Sequence, residues 1–384
     1  MALKNIENQT IKLTLVVTRQ CNFDCRYCLQ KHEDAVMPEE MGKKAIDDLA
    51  ARVLFQSEKL QKTTEGEIPK VRGQISFYGG EPLLQRPLIE KFVKYAKAKF
   101  AEIENSRLVF EITTNGTLLD EEFVSFAKEN RIILALSHDG LSQDLVRLDR
   151  GGHPTKALVD QKLDLLLKTF PDTIIMMTVH PDHVDKVADS LRFFRKKGVR
   201  AVSMVLAHGE KVLWTDEKFE TLSHEMEKVE KLYEEWNQGD SIFRFIPFEN
   251  KIRNYIRGKD ADSAPCHFGC HKLMVDTDGK YYPCSHFIRL EGFSVGSIDE
   301  GLDDSRLESL ESQRIEPQDC VECALSSRCH HTCACANHGH TGSMSEVSAL
   351  QCEYEKLLIR LSDQAASFLM QNESPRFIER MYRN

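Results

Sequence analysis

The stretch Ile11-Lys-Leu-Thr-Leu-Val-Val-Thr18, followed closely by Cys21-Asn-Phe-Asp-Cys25-Arg-Tyr-Cys28, decides the fold of this chain. The apolar run predicts a buried strand, so the three cysteines lie in the loop at its carboxyl end. A four-iron cluster takes four ligands, and this loop supplies three thiolates. One iron would keep an open position, as in sites that bind a reactant. The alternative is three unrelated reduced cysteines or part of a zinc site.

The spacing C-x3-C-x2-C differs from ferredoxin runs and from the paired C-x2-C of zinc ribbons. It resembles the signature of the radical S-adenosylmethionine (SAM) superfamily. In that family the open iron binds the amino and carboxylate groups of SAM. An electron from the cluster then cleaves the sulfonium, and the resulting 5'-deoxyadenosyl radical abstracts hydrogen from the substrate. The resemblance implies that Cys21, Cys25 and Cys28 hold this [4Fe-4S] cluster and that Tyr27 lies near the adenine.

Composition and charge narrow the class of protein further. The chain has 384 residues, is 41% hydrophobic and carries a formal net charge of −9 without a Lys/Arg cluster, so a nucleic-acid surface is not indicated. A positively charged peptide would be a better partner for this acidic chain than a nucleic acid. The first residues lack the apolar core of a signal peptide, and no stretch is long and apolar enough to span a bilayer, so we expect a cytoplasmic protein without membrane contact. Because the cytoplasm keeps thiols reduced, the twelve cysteines of the chain predict metal ligation rather than disulfides.

From residue 11 to about 240, short apolar runs alternate with longer amphipathic stretches, which predicts an α/β fold with a parallel sheet. The predicted strands are Ile11–Thr18, Gln74–Tyr78, Leu108–Thr113, Ile132–Ser137, Thr173–Thr178 and Ala201–Leu206. The predicted helices are Glu39–Phe55, Leu88–Phe100, Glu121–Asn130, Lys156–Phe170, Val184–Lys197 and Asp216–Asn237. Six units are too few for an eight-stranded barrel, but they match the partial (β/α)6 TIM barrel of the enzymes that the chain resembles.

Polar and glycine-rich turns follow three of these strands, where ligands of parallel sheets bind. Gly79-Gly-Glu-Pro82, Thr113-Thr-Asn-Gly-Thr117 and Ser137-His-Asp-Gly140 resemble the GGEP, TNG and S-x-D-G turns of the radical SAM family. Each alone could be an ordinary turn. The resemblance implies that SAM is bound by Tyr27, Gly79, Gly80, Glu81, Pro82, Asn115, Ser137, Asp139 and Arg150.

A second group of nine cysteines lies between Cys266 and Cys352, whereas none lies between positions 29 and 265. The spacings are C-x3-C-x13-C and then C-x2-C-x5-C-x3-C, followed by two further cysteines. Eight thiolates could also build two tetrahedral zinc sites, and the residues alone leave that alternative open.

The tail resembles the SPASM extension of some radical SAM enzymes, with Gly279 five residues before Cys284. The resemblance implies two auxiliary [4Fe-4S] clusters. The first would be held by Cys266, Cys270, Cys284 and Cys333, and the second by Cys320, Cys323, Cys329 and Cys352. Cys335 is not assigned to any of the three clusters. We therefore predict a barrel over residues 1–240, a connection over 241–262, and a cysteine-rich SPASM domain with a C-terminal helix over 263–384.

Radical enzymes with this extension chiefly modify peptides and proteins. One branch oxidises Cys or Ser of sulfatases to formylglycine, with an aspartate general base directly after the cysteine that ends the first auxiliary motif. Here Ser285 and His286 follow Cys284. They are the candidate proton-handling residues, and the catalytic base is otherwise unassigned. We therefore favour a maturase that forms a side-chain crosslink, thioether or carbon–carbon, in a ribosomally made precursor peptide, with the sulfatase-maturating reaction as the alternative.

The expected partners follow from this class of enzyme. They are a precursor peptide or protein substrate, an electron donor such as flavodoxin or ferredoxin, and a separate leader-binding protein, because no recognition domain precedes the first strand. A different class stays open: a non-catalytic metal-binding scaffold, which would not cleave SAM.

Overall fold

The computed structural model describes residues 10–63, 69–209, 211–257 and 272–382. Its strands are β1 Thr10–Thr18, β2 Phe23–Cys25, β3 Val71–Gly79, β4 Ser106–Thr114, β5 Ile132–Ser137, β6 Arg147–Asp149, β7 Ile174–Val179, β8 Ala201–Leu206, β9 Arg244–Phe245, β10 Lys272–Val275, β11 Tyr281–Tyr282, β12 Gly296–Ser297 and β13 Gly301–Leu302. All six predicted strands are present.

The helices also follow the predicted pattern. They are α1 Glu39–Thr63, α2 Arg86–Phe100, α3 Glu121–Glu129, α4 Gln143–Val146, α5 Lys156–Thr169, α6 Val187–Lys196, α7 Asp216–Trp236, α8 Ile246–Arg257, α9 Asp304–Ser312, α10 Gln318–Val321, α11 Ala334–Thr341, α12 Ala349–Gln371 and α13 Pro375–Tyr382. The first helix is longer than predicted, because Gln56 and Ser57 are buried and the Ser57 hydroxyl donates to the Glu104 carbonyl at 2.9 Å.

The chain divides into two compact units. The first contains the described residues of Met1–Asn22, Leu29–Ala135 and Cys266–Gln313. In it β1 pairs in parallel with both β3 and β10, and β3 pairs in parallel with β4. Leu13, Leu15, Val16 and Val17 of β1 are at most 3% exposed, as expected for a strand of a parallel sheet that is covered on both faces.

The second unit contains the described residues of Phe23–Cys28, Leu136–Pro265 and Arg314–Asn384. In it β7, β8 and β9 pair in parallel. The long helix α12 packs against α7 and α8. A short antiparallel pair, β2 with β6, was not predicted. Each unit thus combines part of the strand–helix region with part of the cysteine-rich tail, and the predicted boundaries at residues 240 and 262 stay a prediction.

No helix in the described part of the chain combines the length and the apolar composition that a membrane-spanning helix needs.

Candidate active site

The GGEP turn lies directly against the backbone that leads to the first cysteine. The Gly80 N–H donates to the Thr18 carbonyl at 3.1 Å, and the Glu81 N–H donates to the Gln20 carbonyl at 2.9 Å. A Cβ on Gly80 would lie 2.2 Å from the Gln20 carbonyl oxygen and 2.8 Å from the Cβ of Cys21. Glycine is therefore required here because the chain approaches its own cysteine loop so closely.

The Glu81 carboxylate joins the GGEP turn to the TNG turn. It is 1% exposed and accepts hydrogen bonds from the Thr114 hydroxyl at 2.6 Å, the Asn115 N–H at 2.7 Å and the Leu83 N–H at 3.1 Å. Burial raises the pKa of Glu81 to about 7, although these hydrogen bonds oppose the rise. A cationic group beside it would restore the charged form, so this carboxylate suits the amino group of SAM.

Asn115 connects the TNG turn to the residue that follows Cys21. Its amide Nδ2–H donates to the Asn22 Oδ1 at 2.8 Å, and its Oδ1 accepts from the Thr117 N–H at 3.1 Å. The Asn22 amide donates in turn to the Thr117 hydroxyl at 2.8 Å. Asn115 therefore has a framework role in the structure. Sequence reasoning did not single out Asn22 or Thr117, since both are common residues of polar loops.

Tyr27, Asp139 and Arg147 form a triad in the second unit, in which Asp139 and Arg147 are buried and Tyr27 is half-buried. Asp139 is 0% exposed, and its Oδ2 accepts from both the Tyr27 hydroxyl and the Arg147 Nε–H, the latter at 2.8 Å. Its Oδ1 accepts from the Thr178 N–H at 2.8 Å. The Arg147 guanidinium lies 5.4 Å from the centre of the Tyr27 ring, a cation–π distance. Asp139 thus binds protein groups through both oxygens.

Electrostatics hold this triad in one protonation state. Burial raises the pKa of Tyr27 well above its usual value, with Arg147 opposing and Asp139 adding to the rise, so the phenol stays a donor. Burial alone would lower the pKa of Arg147, but the negative charge of Asp139 raises it above its ordinary value. The Cys25 thiol also acts on both side chains. The ion pair of Arg147 and Asp139 therefore lies near Cys25.

The backbone around Arg147 also secures the cysteine loop. Residue Cys25 pairs with Arg147 across β2 and β6, and the Arg26 N–H donates to the Val146 carbonyl at 2.9 Å. Arg150, the arginine expected in the site, is exposed in the turn that follows β6. The contact of Arg150 with SAM stays a prediction. Sequence reasoning did not single out Arg147, because only the strand pairing distinguishes the two arginines of Arg147-Leu-Asp-Arg150.

His138, the variable residue of the S-x-D-G turn, fixes the shape of that turn. Its Nδ1 accepts from the Gly140 N–H at 2.9 Å, so its Nε2 carries hydrogen and donates to Asp160 Oδ1 at 2.8 Å. Burial lowers the pKa of His138 in spite of Asp160, so the ring is neutral. Ser137 is half-buried at the end of β5. No sequence signal pointed to His138.

The first auxiliary cluster would be held by Cys266, Cys270, Cys284 and Cys333, of which Cys266 and Cys270 lie outside the described residues. Cys284 precedes a single 3-10 turn, Ser285–Phe287, and its Sγ lies 3.9 Å from the Ser285 hydroxyl. The Ser285 carbonyl accepts from the Gln30 amide at 3.3 Å, and the His286 ring packs edge-on against Phe287 with 5.4 Å between centroids.

The proposed second auxiliary set lies wholly in the second unit. Burial raises the pKa of Cys320, and the negative charges of Cys352 and Cys323 add to the rise, so these three thiols are neighbours. The Leu325 N–H donates to the Cys323 Sγ at 3.4 Å, a contact that stabilises a ligating thiolate. Burial raises the pKa of Cys329 to about 12, with the Glu355 carboxylate adding to the rise. This donor set fits a metal site with soft ligands.

Within the described ranges, no three or more His, Cys, Asp and Glu side chains are arranged to hold one metal ion. The thiols around a four-iron cluster stand further apart than those around a single ion, because four irons lie between them. The cysteines of the second set supply soft thiolate ligands, which suit either an iron–sulfur cluster or zinc.

Comparisons with known proteins agree with this geometry. Residues 15–194 match the model of the Radical SAM superfamily. The cysteine-type anaerobic sulfatase-maturating enzyme of Clostridium novyi (strain NT) is 23% identical over 297 residues, which cover 73% of this chain and 74% of that protein. A solved structure of native anSMEcpe with bound AdoMet and Kp18Cys peptide superimposes with a TM-score of 0.73 at 20% identity, covering 93% of this chain and 99% of that one.

A second solved structure, which contains a bound peptide, is also similar to this chain in fold. Streptococcus suis SuiB, solved in complex with the precursor peptide SuiA, superimposes with a TM-score of 0.60 at 15% identity, covering 89% of this chain and 76% of that one. The chain therefore carries a radical SAM domain with the α/β fold of these proteins. Residues 15–194 thus resemble the Radical SAM superfamily, and the chain is similar to a sulfatase-maturating enzyme in sequence and to SuiB in fold.

Proposed function

We propose that this chain is a peptide maturase that binds a ribosomally made precursor and forms a crosslink between two of its side chains. The N-terminal cluster would be held by Cys21, Cys25 and Cys28. SAM would be held near Glu81, whose buried carboxylate suits a cationic amino group. When bound, the cluster and SAM supply the one-electron chemistry that removes a hydrogen atom from the substrate. Residues of the chain itself would bind and position the substrate and move protons.

Within each compact unit, residues of the chain hold the backbone next to a cysteine of the proposed site. The triad of Tyr27, Asp139 and Arg147 holds the loop of Cys25, while Glu81 and Asn115 hold the backbone around Cys21. Positioned groups of this kind need no rearrangement at the moment of reaction. The auxiliary cysteines would hold two further clusters, of which the one nearer the substrate would accept the second electron.

One observation carries the choice of a crosslink over formylglycine. Cys284 is followed by Ser285 and His286, which begin a single 3-10 turn, whereas the sulfatase branch that the tail resembles has an aspartate directly after this cysteine. A serine hydroxyl does not remove a proton unaided at neutral pH. The formylglycine reaction needs a base close to the substrate side chain, so this position is our reason for placing the crosslink first, while the comparisons support both reactions equally.

The sulfatase-maturating reaction is the second candidate, because the similarity to the Clostridium novyi enzyme covers 73% of this chain. In that reaction the substrate side chain becomes an aldehyde. In a crosslink two hydrogens are lost and no carbonyl appears. The two candidates therefore differ in a functional group that can be detected.

The deciding experiment incubates the reconstituted protein with two peptides under reducing, anaerobic conditions. One carries a Cys-x-Pro-x-Arg segment, and the other is the product of a small open reading frame beside the gene. We expect the second to lose two hydrogens and to stay unreactive toward a hydrazine probe. Conversion of the first peptide to a hydrazine-reactive product would establish the second candidate instead.

The electron donor, a flavodoxin or ferredoxin, and a separate leader-binding protein belong to the same proposal. The formal charge of −9 supports a basic leader segment as the part of the substrate that is recognised first. Cytoplasmic placement remains a prediction from the sequence.

A further inference from the structure

A lysine and a glutamate form a buried ion pair in the second unit. Lys251 lies on α8 and Glu355 on α12, and their exposed fractions are 1% and 7%. The Lys251 Nζ donates to the Glu355 carboxylate. Burying two charges is expensive unless each is fully paired, so a pair at this depth calls for a specific explanation.

The pair holds both neighbours of Cys329. The Lys251 Nζ donates to the Arg328 carbonyl at 3.0 Å, and the Glu355 Oε2 accepts from the His330 N–H at 2.8 Å. The peptide groups on either side of Cys329 are therefore bound to one ion pair. Glu355 also lies one turn after Cys352 on α12, so the same carboxylate connects two segments that carry cysteines.

A second layer keeps Lys251 in place. The Arg328 guanidinium donates to the Lys251 carbonyl at 3.3 Å and to the Asp363 Oδ2 at 2.8 Å. Lys251 and Arg328 thus contact each other through the backbone carbonyl of each. The positive charge of Lys251 cannot move toward solvent without breaking these contacts, so it remains close to Cys329.

We infer that Lys251 and Glu355 position Cys329 and set the reduction potential of the cluster held by Cys320, Cys323, Cys329 and Cys352. The inference rests on the auxiliary clusters of the proposed function. Within it, Lys251 and Glu355 are positioning residues rather than ligands. Nothing in the sequence motifs marks either residue for this role.

The physical basis is the charge balance around the cluster. Reduction adds one negative charge, so a nearby positive charge favours the reduced state and a nearby negative charge favours the oxidised state. Inside the protein such charges act more strongly than in water. Removing Lys251 alone should shift the potential to more negative values, and removing Glu355 alone should shift it to more positive values.

The test compares full-length variants in a background where Cys25→Ala and Cys284→Ala remove the other two clusters. The variants are Lys251→Met, Glu355→Gln and the double variant Lys251→Met/Glu355→Gln. Arg360→Gln, on the same helix α12, is the matched control, because its side chain is 49% exposed and its pair with Glu227 is on the surface. The midpoint potential at pH 8 is read by a redox titration followed by electron paramagnetic resonance.

We expect opposite shifts for the two single variants, a value close to the parent for the double variant, and no shift for Arg360→Gln. A merely structural pair would lower the iron content of both single variants without opposite shifts. The double variant keeps the test decisive if a single variant does not fold, because it leaves no unpaired buried charge.

Four outcomes would overturn the inference. Shifts of the same sign in both single variants, or a shift in Arg360→Gln as large as theirs, would do so while the proposed function stands. Failure of the double variant to return toward the parent potential would do so as well. Zinc instead of iron at these four cysteines would overturn it together with the auxiliary clusters, whereas cleavage of SAM at the N-terminal site would still be measurable.

Discussion

Arg147 donates its Nε–H to the Asp139 carboxylate at 2.8 Å and pairs through its backbone with Cys25. One residue therefore links the S-x-D-G turn to the loop that carries two of the three N-terminal cysteines. This link explains how a turn and a cysteine loop more than a hundred residues apart in sequence are held next to each other. It also makes Arg147 the residue whose loss should disturb both.

Replacing Arg147 with methionine should destabilise the protein strongly. The change leaves the Asp139 charge buried without its cation, which typically costs about 3–5 kcal/mol. The free energy of unfolding, measured with urea, checks this value. Arg150→Met is the matched control, because Arg150 is exposed and surface changes usually stay within about 0.5 kcal/mol. Equal effects of the two changes would contradict the assignment.

Glu81 should make the ligand-free protein less stable as the pH rises. Its folded pKa of about 7 lies above the ordinary value of 4.5, so the folded state binds the proton more tightly. The Glu81 contribution is present below pH 4.5 and decreases by about 3 kcal/mol as the pH rises to 7. Glu81→Gln should lack this dependence, so the difference between the two unfolding curves isolates it. A constant difference across that pH range would contradict the account.

The Glu81 dependence should also respond to SAM. A cationic amino group near the carboxylate would lower the pKa of Glu81, so bound SAM should flatten the pH dependence of stability in the parent protein. S-adenosylhomocysteine carries the same amino group and should have the same effect. A cation-free nucleoside such as adenosine should leave the dependence unchanged.

Cysteine replacements should distinguish the N-terminal ligand set from the second auxiliary set. Cys25→Ala should remove one cluster of iron and abolish formation of 5'-deoxyadenosine, whereas Cys329→Ala should remove one cluster and leave that product measurable. Cys335→Ala is the control of the same residue type, because Cys335 is left over in the assignment. Iron analysis per chain provides the readout. Loss of iron from Cys335→Ala would show that one assigned ligand is wrong.

Ser285 and His286 should act on the substrate rather than on SAM. We expect Ser285→Ala or His286→Gln to lower the yield of modified peptide by about 10²–10⁴-fold if that residue handles the proton. Formation of 5'-deoxyadenosine should stay near the parent level in the same variant. Equal losses of both products would instead place the residue in a structural role.

The strand–helix pattern was predictable from the sequence because it depends on local apolar periodicity. Ile132–Ser137 and Ala201–Leu206 were predicted with the ends that the structure shows. The long-range contacts were not predictable in this way. The pairing of β2 with β6 involves only three residues on each strand, and three residues are too few to show a strand period.

The sequence indicated which turns carry candidate site residues, but not which groups each side chain contacts. The GGEP and TNG turns were expected to contact SAM, whereas their polar side chains also bind one another through Glu81, Thr114 and Asn115. The pair of Lys251 and Glu355 was not predictable at all, because 104 residues separate its members. Such pairs depend on tertiary packing, which no local motif encodes.

The central claim is that the N-terminal cysteine loop holds a cluster that cleaves SAM. The most direct test reconstitutes the protein anaerobically with iron and sulfide, reduces it with dithionite, adds SAM and measures 5'-deoxyadenosine by liquid chromatography. We predict that the parent protein and Cys335→Ala form the nucleoside and that Cys25→Ala does not. An iron-loaded parent protein that leaves SAM intact under these conditions would contradict the account and favour a metal-binding scaffold.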